Sequence, residues 1–195
     1  QYGASMNFDA SVPTSYTTVG NKVASWTDTI AALEFTQPID SRRPTLTTQN
    51  GLSAFTFSAA TSNYFTRSPQ TINTGTYFIV YNNTSTKTYS SPLHSSGGFY
   101  IAHGGANNTL YNGNYNSSGH ADTWANHVQI GTPSSGIDSI PRSHVNSLTV
   151  VTQTFTGIKN SSFSAIGTNL DDRHNRNIMG VMCEIALFPN QLSDA

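Results

Sequence analysis

Charge is scarce in this sequence. Only 10% of the 195 residues are charged, where soluble domains usually carry about a quarter. The 9 basic and 10 acidic residues leave a formal net charge of -1, and no segment concentrates Lys or Arg. Nucleic acids and anionic membranes are bound through clusters of basic side chains. We therefore predict neither a nucleic-acid partner nor a membrane partner.

Cysteine and long apolar runs are almost absent as well. The single cysteine, Cys183, excludes an internal disulfide framework. No apolar run reaches the roughly 20 residues of a transmembrane helix, and no signal peptide is recognisable. Because the chain begins at Gln1 without a methionine, we expect a mature or excised part of a larger protein.

The patterns of common hydrolases are missing too. The chain has two glutamates, Glu34 and Glu184, whereas glycosidases need a pair of carboxylates flanking the bond they cleave. The serines and histidines form no Gly-x-Ser-x-Gly elbow and no His-Glu-x-x-His pair. We expect Glu184 to be structural, meeting an arginine or capping a loop. We predict that the protein is not an enzyme and has no metal site.

Ser, Thr and Asn replace the missing charge and make up roughly a third of the chain. Their short polar side chains compete for backbone hydrogen bonds, which disfavours helix interiors. Short strand-like segments alternate with clusters of Gly, Pro, Asn and Ser, a pattern typical of sandwiches and barrels. We predict a single all-β domain over residues 1–195 with little or no helix, the one candidate helical turn lying near 28–35.

Three segments carry the strongest strand patterns. Residues 54–58 alternate, which places Phe55 and Phe57 on one face. The run Thr76–Tyr81 is almost continuously apolar and predicts a central strand buried on both faces. Residues 178–188 form the third strand, ended by Pro189. Its predicted core face holds Met179, Val181, Cys183, Ile185 and Leu187, with Cys183 an inert small hydrophobe and Glu184 on the opposite face.

Both ends of the chain carry a family resemblance. The motifs, in order, are Asn7-Phe8-Asp9-Ala10, Val23-Ala24-Ser25-Trp26-Thr27-Asp28, Arg43-Pro44-Thr45-Leu46, Asn50 to Phe57 and Gly180 to Phe188. They resemble the concanavalin A-like lectin/glucanase superfamily, in the laminin-G-like modules of bacteriophage tail fibres, virion surface proteins and microbial adhesins. The resemblance implies an antiparallel two-sheet jelly-roll sandwich that often carries glycan recognition. It also implies calcium in some members, for which Asp171-Asp172 is the candidate here. Since no third carboxylate is near in sequence, we favour a surface pair of these residues with Arg173 and predict no cofactor.

The residues of these motifs have a mainly structural interpretation. Trp26 is predicted to anchor the core, since one buried indole covers about 200 Å². Asp28 is predicted to hold a turn by accepting backbone N–H groups. Pro44 fixes an extended start to the next strand, because the residue before proline avoids helical angles.

The stretch Phe99–Trp124 is the candidate glycan-binding loop. Sugars present hydroxyl groups to amides and carboxylates, and apolar C–H faces to aromatic rings. The alternative is that the aromatic residues belong to the core and the asparagines fill turns. The candidate ligand-binding residues are Tyr100, His103, Asn107, Tyr111, Asn112, Tyr115, His120, Asp122 and Trp124.

Three functions stay open at this point. The first is a non-catalytic carbohydrate-binding or adhesion module that recognises cell-surface or mucus glycans from a virion surface or another extracellular position, as a homo-oligomer in its assembly. The second is a structural capsid-decoration or fibre-tip domain that binds another virion protein. A glycan hydrolase ranks third, because the Glu-x-Asp-x-Glu strand of the retaining glucanases is missing.

Overall fold

The chain is described by a computed structural model that covers residues 3–58, 60–84, 90–95, 100–104, 109–112, 120–126, 128–131, 137–139, 147–168 and 177–192. Within these ranges, helix is limited to two short 3-10 turns, Pro13–Ser15 and Asp40–Arg42. None of the described helical segments has the length and apolar character to cross a membrane. The prediction of an all-β fold is confirmed.

The described strands number fifteen. In chain order they are β1 (Met6–Asp9), β2 (Tyr16–Val19), β3 (Lys22–Thr27), β4 (Glu34–Thr36), β5 (Thr45–Gln49), β6 (Leu52–Phe57), β7 (Phe65–Asn83), β8 (Ser90–Ser95), β9 (Tyr100–Gly104), β10 (Thr109–Asn112), β11 (His120–Ala125), β12 (Val128–Gly131), β13 (Ile137–Ser139), β14 (Thr149–Ile166) and β15 (Gly180–Phe188).

Six of these strands close into a barrel. They pair in the order β15-β6-β5-β3-β4-β7, and β7 pairs again with β15 to complete the ring. Every pairing is antiparallel. A closed ring leaves none of its own strands with a free edge. Because the hydrogen bonds pass round all six strands, the arrangement is not plainly the two-sheet jelly roll that the resemblance implies.

The remaining strands extend this ring outward. β1 pairs with β15, and β2 forms a hairpin with β3. β14 runs along β7 over almost its whole length and carries β8 and β11 on its other side. β9, β10 and β13 follow β8 in order, and β12 follows β11. The pairings join all the described strands into one hydrogen-bonded network.

An aromatic cluster fills the barrel. Trp26 is fully buried, with ring centroids 4.7 Å from Phe55 and 5.3 Å from Phe8 in edge-to-face contact. Phe57 and Phe65 extend the cluster at 6.0 Å from each other. Edge-to-face pairs are favoured by the quadrupoles of the rings. The predicted core role of Trp26, and the shared inner face of Phe55 and Phe57, are confirmed.

A turn held by Asp28 replaces the helical turn expected near 28–35. The buried carboxylate accepts the backbone N–H groups of Asn7, Ile30 and Ala31, the Ile30 bond being 3.1 Å long. These bonds satisfy the backbone without a helix, and the chain then enters β4 directly. The role predicted for Asp28 is confirmed, and the helical turn was wrong.

The extended start before Pro44 is also as predicted. Arg43 has φ -73° and ψ 134°, and Pro44 O accepts the N–H of Val23 at 2.8 Å. The chain therefore enters β5 from the proline without a break.

The predicted core face of β15 is wrong in its first half. The register against β7 slips between Met182 and Glu184, which is a β-bulge at Cys183. A bulge inserts one residue and reverses which residues face inward. Met182, Ile185 and Leu187 are buried in the core as a result, whereas Met179, Val181 and Cys183 are partly exposed.

The central strand β7 also differs from its prediction. It does lie between β14 and β15, but its two faces are not equally buried. Tyr77, Ile79 and Tyr81 are buried inside, whereas Phe78 and Val80 on the opposite face are only partly covered. The continuous apolar run therefore reflects a core face and a second apolar face on the outside of the barrel.

Candidate functional site

The outer face of four neighbouring strands carries a groove. The strands are β1, β15, β7 and β14, side by side in that order. The groove has a volume of about 330 Å³, which is at the lower end of the range for small-ligand sites. It is lined by Ala4, Asn7, Phe78, Val80, Val150, Glu184, Ala186 and Phe188.

Strand register builds this face. Residues directly opposite one another on antiparallel strands lie on the same side, with Cβ atoms roughly 4.5–5.5 Å apart. One row across the four strands is Asp9, Glu184, Val80 and Val150. The next row is Asn7, Ala186, Phe78 and Thr152, and it continues to Trp124 on β11.

Two phenylalanines form the apolar part of the groove. Phe78 and Phe188 make an edge-to-face pair with centroids 5.5 Å apart and an interplanar angle of 77°. Both rings are partly exposed. Together with Val80 they give the groove an apolar surface against which the C–H face of a ligand can lie.

Asn7 contributes an unpaired hydrogen-bond acceptor. Its side chain and backbone are 3% exposed, and its backbone O accepts the N–H of Thr29 at 2.8 Å. Its Oδ1 atom is buried, and no group in the described part of the chain donates a hydrogen bond to it. An unsatisfied buried acceptor costs about 1–3 kcal/mol. Because this atom has almost no exposed surface, a hydroxyl or N–H group of a ligand in the groove would remove that cost once the Asn7 amide turns toward it.

Glu184 lines one end of the groove, and Asp9 places a second carboxylate beside it on the same face. They lie directly opposite each other on β15 and β1. Burial raises the pKa of Glu184, and the negative charge of Asp9 raises it further. Asp9 Oδ1 accepts the N–H of Ser11 at 2.8 Å. Glu184 therefore faces another carboxylate, and none of the described arginines pairs with it, so the expected arginine partner stays a prediction.

Cys183 lies at the bulge beside this pair. Burial raises the pKa of its thiol to about 11, and the charges of Glu184 and Asp9 act in the same direction. The thiolate is the reactive form of cysteine. Cys183 is thus protonated at neutral pH, in keeping with the inert role expected of it.

The candidate loop 99–124 is divided among three strands rather than forming one loop. Tyr100 and His103 lie in β9, and Tyr111 and Asn112 lie in the adjacent strand β10. The register places Tyr111 opposite Ala102. Two further candidates, Asn107 and Tyr115, lie outside the described residues.

The last three candidates belong to β11. This strand, which contains His120, Asp122 and Trp124, pairs with β14. Trp124 is opposite Thr152, partly exposed, and ends the row that begins at Asn7. Of the nine predicted ligand-binding residues, Trp124 is the one that the described pairings bring into line with the groove.

The sequence interpretation missed Asn7, Phe78 and Phe188 as site residues. The signal for Phe78 was present in the unbroken apolar run of β7, since a strand of a barrel needs only one apolar face. Asn7 gave no signal, because its unpaired Oδ1 depends on how β1 packs against the turn at Asp28.

The described side chains contain no group of three or more His, Cys, Asp or Glu residues close enough to hold a metal ion. The calcium candidates, Asp171 and Asp172, lie outside the described residues. Calcium binding therefore stays an expectation from the resemblance.

The chain was compared with protein-family models, with curated proteins and with solved structures. No family model matches it, and neither a curated protein nor a solved structure is similar to it. The likeness to the concanavalin A-like superfamily accordingly depends on the sequence motifs at the two ends of the chain.

Proposed function

We propose that this chain is a non-catalytic carbohydrate-binding module and that the groove over β1, β15, β7 and β14 is its binding site. The observation that carries the proposal is the pairing of partly exposed rings, Phe78 and Phe188, with the buried unpaired Oδ1 of Asn7. Their groove is about 330 Å³ in volume, which suits one or two sugar rings.

Each part of a sugar has a counterpart in the groove. The apolar C–H face of a pyranose ring lies against Phe78 and Phe188, and its hydroxyl groups donate to Asn7 Oδ1 and to the carboxylate of Glu184. The apolar contact supplies affinity, while the acceptors fix the orientation of the ring. Trp124 extends the same row and adds a ring for a second sugar unit.

A shallow groove with few polar groups gives weak single-site binding, so many copies must act together. We propose that the module is displayed as a homo-oligomer on a virion or fibre surface, in contact with other virion proteins. The sequence resemblance to phage fibre and virion modules supports this setting. The ligands are then cell-surface or mucus glycans.

The jelly-roll arrangement belongs to the same proposal. The ring is joined by a single residue pair at two places, Lys22 with Thr45 and Thr36 with Thr66. Two stacked sheets that meet at their corners would be connected by such single pairs, since strands can pass from one sheet to the other at a corner. An experimental structure that shows two stacked sheets would support the jelly roll; a round barrel of evenly paired strands would contradict it.

A glycan array tests the binding function. The chain is presented as a streptavidin-linked multimer, and Phe188→Ala is compared with Leu52→Ala, which shortens an apolar side chain that is 62% exposed on the β5–β6 hairpin. We expect binding by the wild type and by the Leu52 variant, and loss of binding by the Phe188 variant. The proposal is contradicted if the chain binds none of the microbial, mucin-type and cell-surface glycans on the array. It is also contradicted if Phe188→Ala binds as well as the wild type.

A structural role is the second candidate. The partly exposed apolar residues of the groove also suit a protein partner, for which Phe78 and Phe188 would act as buried anchors. Electron microscopy of the intact assembly distinguishes the two functions. A groove covered by another virion protein supports docking, and an open groove supports glycan binding.

The hydrolase hypothesis is favoured by one observation. Asp9 and Glu184 are direct cross-strand neighbours on one face, so their side chains can bring two carboxyl groups close together, as the pair of a retaining glycosidase requires. It ranks behind binding because the Glu-x-Asp-x-Glu strand is missing. Release of reducing ends from a bound glycan, abolished by Glu184→Gln, would overturn the non-catalytic proposal.

A further inference from the structure

Among the side chains that the structure describes, no basic group stands beside the acidic pair Asp9 and Glu184. Glu184 faces Asp9 on one side and Val80 on the other. Neither neighbour can donate a hydrogen bond to its carboxylate. An anion placed in the groove would therefore meet two negative charges at close range.

The basic side chains that the structure describes are engaged elsewhere. None of them lines the groove. Their contacts are Lys22 Nζ with Asp40 at 2.6 Å, Arg43 with Asp40 at 3.2 Å, Arg42 with the Tyr64 hydroxyl at 2.8 Å, and Arg67 over the Phe35 ring at 5.4 Å.

Asn7 gives an independent indication of the same chemistry. Its Oδ1 is a buried acceptor to which none of the described groups donates, on the row next to the acidic pair. Asn7 and Glu184 line the groove, and Asp9 lies beside Glu184 on the same face. A matching ligand presents hydrogen-bond donors there and carries no negative charge.

We propose that the groove selects neutral and amino sugars and excludes sugars that bear a carboxylate or sulfate. This selectivity rests on the proposed function, because it assigns the charge class of the glycan held in that groove. Hydroxyl and ammonium groups donate to the acceptors of Asn7 and Glu184. The carboxylates of uronic and sialic acids cannot donate, and Asp9 and Glu184 repel them.

The expected discrimination is large enough to measure. At the separation of a direct contact near a protein surface, one like-charge pair weakens binding about tenfold or more. The effect falls at high salt, because the screening length drops from about 10 Å at 0.1 M to about 3 Å at 1 M. An ammonium group on the sugar is attracted by the two carboxylates, so it should strengthen binding.

The test is a glycan array containing neutral, amino, uronic acid, sialylated and sulfated glycans, read at 0.1 M and 1 M NaCl. We expect amino and neutral glycans to bind, and acidic analogues of the same backbone to bind about tenfold less at 0.1 M. Equal or stronger binding of acidic glycans overturns the selectivity while the binding function stands. If no glycan on the array binds, both the selectivity and the binding function are overturned.

Two isosteric variants assign the effect to the groove. Glu184→Gln removes a charge inside it, and Glu34→Gln removes the same charge from an exposed position on β4. We expect Glu184→Gln to reduce the difference in binding between neutral and acidic glycans, and Glu34→Gln to leave this difference unchanged. Equal behaviour of the two variants would show that net charge, not the groove, sets the preference.

Discussion

Gly180 is a position where closure of the barrel can be tested with one added methyl group. At this residue β15 pairs both with Phe57 of β6 and with Asn83 of β7. Its φ is +126°, and a Cβ atom would lie 2.0 Å from the backbone O of Asn82. Gly180→Ala therefore strains the backbone and forces β7 and β15 apart.

The size of the effect follows from two separable costs. A sparsely populated backbone conformation costs about 1–3 kcal/mol, and overpacking costs about 1–3 kcal/mol more. Two other glycines isolate these costs. Gly51 has φ +81° with nothing within 4 Å, whereas Gly75 would bring a Cβ to 2.2 Å from the backbone of Asn190 without a positive φ.

We expect the loss in free energy of unfolding to rise from Gly51→Ala to Gly75→Ala to Gly180→Ala. Gly51→Ala should cost about 1 kcal/mol, since the strain is partly offset by reduced freedom of the unfolded chain. Gly180→Ala should cost about 2–6 kcal/mol. Urea denaturation followed by far-UV circular dichroism measures all three. If Gly180→Ala costs no more than Gly51→Ala, β15 is not held between β6 and β7 as described.

Three further predictions concern single side chains. Trp26→Ala should cost about 3–5 kcal/mol of unfolding free energy. Trp26→Phe should cost clearly less, because it also removes a buried Nε1–H for which the described residues offer no acceptor; equal costs in urea denaturation would contradict this. Burial and Asp9 raise the pKa of Glu184 above its ordinary value of 4.5, so ionisation favours the unfolded chain. Glu184→Gln should therefore be more stable than the wild type above about pH 4.5 and equally stable well below it. If thermal denaturation shows that the gain in stability persists at low pH, the raised pKa of Glu184 is refuted. Cys183, with a pKa of about 11, should react slowly with iodoacetamide at neutral pH, and faster in the Glu184→Gln variant. Mass spectrometry measures the alkylation, and rapid alkylation of the wild type would contradict the burial of this thiol.

Much of the barrel could be predicted from local chemistry. Phe55 and Phe57 alternate in a short polar strand, Asp28 follows Trp26 at the right distance to hold a turn, and Pro189 stops β15. Each of these depends on neighbours in sequence, so composition and periodicity were sufficient. The helical turn near 28–35 failed because the Asp28 carboxylate binds the N–H groups that a helix would have used.

The groove could not be predicted because it depends on register between distant strands. The bulge at Cys183 sets which side of β15 faces Asp9, and no local pattern reveals a bulge. Asn7 and Glu184 are separated by most of the chain, yet they lie on adjacent rows of one face. The stretch 99–124 has the composition of a glycan-binding loop, but composition does not determine which of its residues reach a common surface.

Binding of a glycan in the groove is the central claim, and an NMR titration tests it most directly. The ¹⁵N-labelled chain is titrated with the neutral glycan that binds best on the array, while ¹H–¹⁵N correlation spectra are recorded. Perturbations should centre on the side-chain amide of Asn7 and on the backbone amides of Phe78, Glu184 and Phe188. Shifts confined to residues 100–124, or none at a glycan concentration that saturates the array signal, would contradict the assignment of the site.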